Sequence, residues 1–237
     1  MKAIILAGGK GTRLAPYTRI FPKPMMPIGD KAILEVLMAQ LQRAGVDEVI
    51  ITVGHMAGLM RAFFDCGENY GLDITYSLES EPLGTAGPLS LIDGLDETFI
   101  VSNGDVLTTL DFADLVRFHE AQGDALLTIA THARSVHIDL GVIETNGDHT
   151  ITGYIEKPDI DYQVSMGVYV FDPAIMDYIP KGQHLDFPDL VLALLADGKR
   201  VSNYSFDGYY QDLGRPEDYD QACIDFETMR GQFLLEE

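Results

Sequence analysis

Ala3-Ile4-Ile5-Leu6-Ala7-Gly8-Gly9-Lys10-Gly11-Thr12-Arg13-Leu14, continued through Pro16 by Phe21-Pro22-Lys23-Pro24-Met25-Met26-Pro27, is the stretch on which the fold turns. Ile4, Ile5 and Leu6 form a short apolar run of the kind a buried parallel strand presents. Gly8, Gly9 and Gly11 follow at once. Glycine lets the chain turn sharply and lets backbone N–H groups approach a ligand with no Cβ in the way. Arg13 and Lys23 add fixed positive charge beside those N–H groups. Strand, glycine-rich turn and flanking cations together describe a cradle for phosphates.

Two common phosphate loops do not fit. A P-loop requires Ser or Thr after its Gly-Lys pair, and here Lys10 is followed by Gly11. A dinucleotide fingerprint requires a third glycine, and Gly9-Lys10-Gly11-Thr12-Arg13 ends in Leu14. The stretch resembles instead the G-G-x-G-T-R-L…K-P signature of the sugar-1-phosphate nucleotidyltransferases. Later segments fall in that family's order: Leu83–Pro88, Asn103-Gly104-Asp105, Gly141-Val142, Glu156-Lys157-Pro158, Met166-Gly167-Val168-Tyr169 and Asp212-Leu213-Gly214. The resemblance covers almost the whole chain. Leu83-Gly84-Thr85-Ala86-Gly87-Pro88 looks most like the guanylyltransferase branch that acts on mannose-1-phosphate.

Composition narrows the partners. The 237 residues suffice for one sizeable domain, 1–237, with a real core. A formal net charge of −21 argues against nucleic acid or an anionic membrane as partner. It also means that phosphates are drawn only where Lys, Arg or a metal ion overturns the background field. Cys66 and Cys223 lack metal-ligand spacing and are expected to be spare buried thiols in a reducing cytoplasm. Met1-Lys2 leads straight into the first strand, so no signal peptide is expected, and no apolar run approaches the length of a membrane span.

Periodicity predicts a helix over 30–44, with Ile33, Leu34, Leu37, Met38 and Leu41 on one face and Gly45 as its stop. Strands are expected at 48–53, 73–78 and 98–102, helices at 56–64, about 87–92 and 112–121, the last capped by Asp111. That alternation indicates an α/β fold with a doubly wound, mostly parallel sheet and ligands at its carboxyl edge. From Ala125 strands dominate, at 125–133, 139–144, 150–156 and 164–171, before helices at 187–196 and 216–229. Residues 1–124 are therefore expected mainly to bind nucleotide, and 125–237, with an inserted β-rich part, mainly the sugar phosphate. No hexapeptide repeat follows, so the β-helix tail that many relatives carry is expected to be absent.

The resemblance implies attack by a sugar-1-phosphate oxygen on the α-phosphorus of a nucleoside triphosphate, with pyrophosphate leaving. Cations and positioning can supply most of such catalysis. Mg²⁺ is the implied cofactor, held by Asp105 and Asp212, since that ion needs only one or two carboxylates beside phosphate and water oxygens. Arg13, Lys23 and Asp105 are the implied catalytic residues. Leu6, Ala7, Gly8, Gly9, Gly11, Thr12, Glu79, Gly84, Thr85 and Asn103 are implied to join them around the nucleotide. Gly141, Glu156, Lys157, Ser165 and Gly167 are implied to hold the sugar phosphate, with Ser165 standing where many relatives have Asn. Glu79 falls where relatives read the base. A carboxylate only accepts hydrogen bonds, which suits the adjacent N1–H and 2-amino donors of guanine better than uracil. GTP is favoured on that ground. UTP, CTP or dTTP with glucose, a heptose, an amino sugar or phosphocholine is the alternative, and a non-catalytic nucleotide-sugar sensor is the alternative of another class. His55, His119, His132, His137, His149 and His184 show no ligand or base spacing and are expected to be surface or satisfied residues. The implied partners are thus a nucleoside triphosphate and a sugar-1-phosphate in the cytoplasm, with a homo-oligomer left open.

Overall fold

Ala3, Ile4 and Ile5 are fully buried and divide between two apolar clusters, Ala3 and Ile5 in one and Ile4 in the other. A strand buried on both faces belongs inside a sheet with a layer on each side. The computed structural model, which describes residues 1–9, 11–54 and 56–234, has that arrangement. Lys10 and His55 of the sequence reading lie outside the described residues.

In chain order the strands are β1 (Lys2–Leu6), β2 (Pro27–Ile28), β3 (Lys31–Ala32), β4 (Glu48–Val53), β5 (Asp73–Leu78), β6 (Phe99–Asn103), β7 (Val106–Thr108), β8 (Ala125–His137), β9 (Val142–Thr145), β10 (Ile151–Ile155), β11 (Asp159–Phe171), β12 (Arg200–Phe206) and β13 (Tyr210–Asp212). The α-helices are α1 (Ile33–Arg43), α2 (Ala57–Phe64), α3 (Phe112–Ala121), α4 (Phe187–Ala196) and α5 (Pro216–Leu234). Seven strands form the central sheet in the order β12-β8-β11-β6-β1-β4-β5. β6, β1, β4 and β5 run parallel, as do β12 and β8, while β11 is antiparallel to both its neighbours. Leu34, Leu37 and Leu41 of α1, Met60 and Phe64 of α2 and Leu115 of α3 cover one face. Leu190 and Leu194 of α4 pack with Phe99 and Phe171 on the other. The doubly wound, mostly parallel sheet expected from the sequence is therefore the observed one.

Several boundaries differ for identifiable reasons. α1 starts at Ile33, because Pro27 and Ile28 pair with Lys31 and Ala32 in a two-stranded ribbon just before it. The Glu35 carboxylate then accepts from Ala32 N at 2.6 Å, which secures the first turn. Asp111 caps α3 as expected, accepting from Asp114 N at 3.0 Å. The segment after Ala86 is a 3₁₀ turn, Gly87–Leu91. β8 and β11 run well past their expected ends, continuing beyond the sheet as a two-stranded arm in which Val136 faces Ile160 and Arg134 faces Tyr162. Such cross-strand pairs stabilise an arm that the alternating acids Asp159 and Asp161 conceal in the sequence. β12 is an edge strand with little apolar signal, and β7 and β13 are only three residues each, so none of the three was expected. α5 passes a kink at Met229 to reach Leu234, since Phe233 and Leu234 bury beside Ile33 and Val36.

Both cysteines are free, but Cys66 is exposed and Cys223 half-buried, which corrects the expectation of buried thiols. Among the described residues no helix is long and apolar enough to cross a membrane.

Candidate active site

Parallel strands end at a common edge, and the crevice beyond their carboxyl ends is where such sheets bind ligands. Here β1, β4 and β6 open into a cleft of about 790 Å³. Every residue that the sequence reading assigned to the nucleotide, from Leu6 to Asp105, lines it.

The floor is built from tight backbone contacts. Ala7 N donates to Thr52 O at 3.1 Å, which ties the turn to β4. A Cβ on Gly54 would stand 3.3 Å from Gly8 O. A side chain on Gly8 would collide with the Glu79 carboxylate, so Glu79 lies across this glycine. Gly11 has φ +60°, and its carbonyl accepts from Thr18 Oγ1 at 2.7 Å.

Charge gathers at one end of the cleft. Lys23 sits in a 3₁₀ turn, Lys23–Met25, with its side chain only 10% exposed. Its ammonium forms an ion pair with Asp105 and lies 3.7 Å from Asp212 Oδ1. Asp105 follows the end of β6, where Gly104 N donates to Leu6 O at 3.1 Å and a Cβ on Gly104 would sit tightly, 3.0 Å from Pro24 and 3.1 Å from Ile5. Asp212 arrives through the pairing of β13 with β7, where it stands opposite Val106. Arg13 packs beside Gly214, two residues beyond Asp212. Two carboxylates and two cations thus converge from four segments. Burial, and next the Asp105 carboxylate, push the Asp212 pKa up, with Lys23 and Arg13 pulling against them.

Glu79 is half-buried, and its only protein donor among the described residues is Leu83 N at 3.3 Å. Burial raises its pKa and that bond opposes the rise. A carboxyl whose folded pKa exceeds its unfolded value of about 4.3 favours the fold while protonated and loses that contribution as pH rises through the folded value. Glu79→Gln should therefore raise the melting temperature of the ligand-free protein at pH 7.5, and the gain should shrink as pH falls toward 5. Thermal melts of the two proteins across that range check this; a gain that grows at low pH would contradict it.

The residues assigned to the sugar phosphate do not line this cleft. Glu156 is exposed beyond β10 and accepts from Tyr154 OH at 2.9 Å. Lys157, at φ +44°, pairs with Asp139 at 2.9 Å. Gly141 abuts the Tyr154 ring, where any side chain would collide. Ser165 Oγ donates to Tyr169 OH at 3.2 Å and accepts from Gly167 N at 3.3 Å. Gly167, at φ +71°, is the link to the cleft, because a Cβ there would strike the amide of Asn103. Gly141, Glu156 and Lys157 thus lie past the outer end of the arm, where His137 faces Asp159, and Ser165 lies nearer the sheet, opposite Thr131.

Some lining residues escaped the sequence reading. Thr52 and Gly54 follow from the rule that strand carboxyl ends face the crevice. His184 also lines the cleft, and nothing in its sequence context indicated so. His119 is satisfied as expected, with Nδ1 2.8 Å from Thr128 Oγ1. His132 contacts Phe206 O at 2.9 Å and His137 pairs with Asp159.

The family model described as Nucleotidyl transferase matches residues 2–228. The chain belongs to the nucleotidyl transferase family. Within it, the chain is 36% identical to a UTP–glucose-1-phosphate uridylyltransferase of Synechocystis, over 94% of this chain and 62% of that protein. It is 35% identical to a mannose-1-phosphate guanylyltransferase of Mycobacterium tuberculosis, over 94% of this chain and 64% of that one. The chain thus spans just over three-fifths of the length of these curated relatives. Among solved structures, HddC from Yersinia pseudotuberculosis matches with TM-score 0.70 and 29% identity, covering 95% of this chain and 99% of that one. A complex of HddC with GMP-PN matches at TM-score 0.68. A UDP-glucose pyrophosphorylase bound to UDP-glucose shares the fold at TM-score 0.74 and 21% identity, covering 97% of this chain and 99% of that one. The named family members differ in nucleobase and sugar.

Proposed function

We propose that this chain joins a sugar-1-phosphate to a nucleoside triphosphate, giving an NDP-sugar and pyrophosphate, with GTP as the favoured nucleotide. The observation that carries this reading is the convergence of Asp105 and Asp212 on buried Lys23 at the end of a glycine-walled cleft. Residues 1–124 serve mainly the nucleotide and 125–237 mainly the sugar phosphate.

In the reaction a phosphate oxygen of the sugar-1-phosphate bonds to the α-phosphorus as the α–β bridging oxygen departs with pyrophosphate. Two anions must meet in a protein of net charge −21, so local cations decide the rate. Backbone N–H groups around Gly8, Gly9 and Gly11 bind phosphate oxygens. Arg13 holds the leaving end. Lys23 neutralises the α-phosphate and the incoming phosphate, exchanging part of its contact with Asp105 for them. Lys157, released from Asp139, holds the sugar phosphate, and Glu156 accepts from sugar hydroxyls.

The donor set suits Mg²⁺. Among the described residues no group of three or more His, Cys, Asp or Glu could hold a metal alone, whereas Asp105 and Asp212 supply the one or two carboxylates that Mg²⁺ takes beside phosphates and water. A bound Mg²⁺ would offset phosphate charge and orient the triphosphate. Chelation of divalent metal should abolish turnover, and added Mg²⁺ should restore it; full activity in excess chelator would remove the metal from the account.

The guanine preference is supported by Glu79, a half-buried carboxylate across Gly8 with a single weak protein donor among the described residues, so that a base with two adjacent donors would complete its hydrogen bonding. The test is pyrophosphate release from GTP, UTP, CTP and dTTP against a panel of sugar-1-phosphates. Release that depends on both substrates supports the proposal. Nucleotide-sugar binding without turnover for every pair would favour a sensor.

Lys23 and Lys157 should separate in kinetics. Lys157→Met should raise the sugar-1-phosphate KM by about tenfold with the NTP KM held, while Lys23→Met should mainly lower kcat. Unchanged KM values in Lys157→Met would take Lys157 out of the sugar-phosphate site.

A further inference from the structure

The turn 83–87 that walls the cleft is gripped from behind by a strap, residues 183–187, a hundred positions later in the chain. Leu185 N donates to Leu83 O at 2.9 Å, and Leu185 O accepts from Ala86 N at 2.9 Å and Gly87 N at 3.0 Å. Gly84 has φ +82°, and a Cβ there would stand 2.6 Å from Leu185 O; one on Gly87 would stand 2.6 Å from Gln183 O. The two glycines are the points where strap and turn press together.

The side chains then trade partners. Asp186 is the N-cap residue of α4, where an aspartate ordinarily accepts from its own helix's first amides. It makes no such bond. Its Oδ1 accepts instead from Thr85 N at 3.1 Å and Thr85 Oγ1 at 3.4 Å. Thr85 Oγ1 in turn accepts from Phe187 N, a first-turn amide of α4, at 2.7 Å. The helix is capped by the turn and the turn by the helix's own cap residue. Beyond the turn, Leu83 N donates to Glu79, and His184 of the strap lines the cleft.

We propose that Asp186 is a positioning residue for nucleotide selection: through Thr85 it fixes the 83–87 turn, and with it the Glu79 carboxylate, at the distance one nucleobase requires. This rests on the reading of the cleft as the nucleotide site. Hydrogen bonds weaken steeply with misalignment, so a turn free to shift discriminates less between bases. Nothing in the reaction itself needs Asp186, which is why its effect should be confined to the nucleotide.

The test uses three variants. Asp186→Ala removes both the cap and the grip. Asp186→Ser is the separating variant, since Ser caps α4 locally but is too short to reach Thr85. Asp186→Asn keeps an acceptor toward Thr85 N. Equilibrium binding of GTP and UTP is measured first, then kinetics with an accepted sugar-1-phosphate. Asp186→Ser should keep the parent's melting temperature, weaken binding of the preferred NTP by about tenfold, and narrow the ratio of kcat/KM between the two NTPs by about threefold or more, with the sugar-1-phosphate KM unmoved. Asp186→Asn should restore most of the loss. An Asp186→Ser protein with parental NTP binding and ratio overturns the proposal, whatever the Asp186→Ala melting temperature, as does an equal rise in both substrates' KM. A parent that binds NTP without transferring it overturns the transferase reading alone, and the binding data still decide on Asp186. A parent that binds no NTP overturns both.

Discussion

Asp105→Asn should lower kcat by on the order of a hundredfold or more at saturating Mg²⁺, because under the proposed function this carboxylate would hold an ion that supplies several kcal/mol of transition-state stabilisation. The geometry makes the loss specific. Asp105 is the closer of the two carboxylates to Lys23, and it stands where β6 opens on the cleft. An amide keeps the shape but loses the charge, so it neither holds a divalent cation well nor balances the buried ammonium. That second effect acts on the fold. Among the described residues Lys23 would keep only Asp212 at 3.7 Å as an ion-pair partner, and removing one partner of a largely buried pair is destabilising. Melting temperature and metal-free nucleotide binding must therefore be measured beside kcat. A folded Asp105→Asn protein with parental kcat would remove Asp105 from the reacting centre. A folded protein that binds NTP and has lost turnover is the expected result.

Glu79→Gln should change which base is preferred. Facing guanine, the carboxylate accepts from N1–H and from the 2-amino group, both charge-assisted bonds of the stronger kind. Facing uracil it gains one donor and sits against carbonyl oxygens. Mismatches that leave polar groups unpaired cost a few kcal/mol, so the parent should favour GTP over UTP by about a hundredfold in kcat/KM. The amide of Gln can donate as well as accept, so the preference should shrink by about tenfold or more. The measurement is kcat/KM for GTP, UTP, CTP and dTTP with one accepted sugar-1-phosphate, in both proteins. A parent that prefers UTP would overturn the base assignment and leave the transferase proposal standing. A mutant with the parent's GTP preference intact would leave Glu79 as a wall residue and move base reading to the backbone near Gly8 and Gly84.

What the sequence disclosed and what it hid follow from the range over which residues act. β1 and its glycines are legible because burial on both faces demands an apolar run, and the Glu79 carboxylate over Gly8 and the Gly8 carbonyl beside Gly54 favour small residues there. Asp105 is legible as a strand-end carboxylate in a short motif, and Asp212 only through its resemblance, since β13 is too brief to announce itself. The arm was shortened in the reading because Asp159 and Asp161 look like loop residues, yet each sits across from the end of β8 with apolar neighbours on the opposite side. The strap at 183–187 was invisible for a different reason. Asp186 reads as an ordinary helix cap, and only the folded chain reveals that its carboxylate is turned toward Thr85. Likewise the separation of Glu156 and Lys157 from the nucleotide cleft depends on how far β8 and β11 carry them, which no local pattern encodes.

The central claim is that Lys23, Asp105 and Asp212 mark the point of nucleotidyl transfer. It is tested most directly with GTP labelled at the α-phosphorus, mixed with Mg²⁺ and an unlabelled sugar-1-phosphate from the panel above, with products separated after a single turnover. The label should appear in an NDP-sugar, mole for mole with pyrophosphate, in the parent and fall by about a hundredfold in the rate of its appearance with folded Asp105→Asn. Label that stays in GTP for every sugar-1-phosphate tried, or that emerges as free GMP whether or not the sugar-1-phosphate is present, would contradict it.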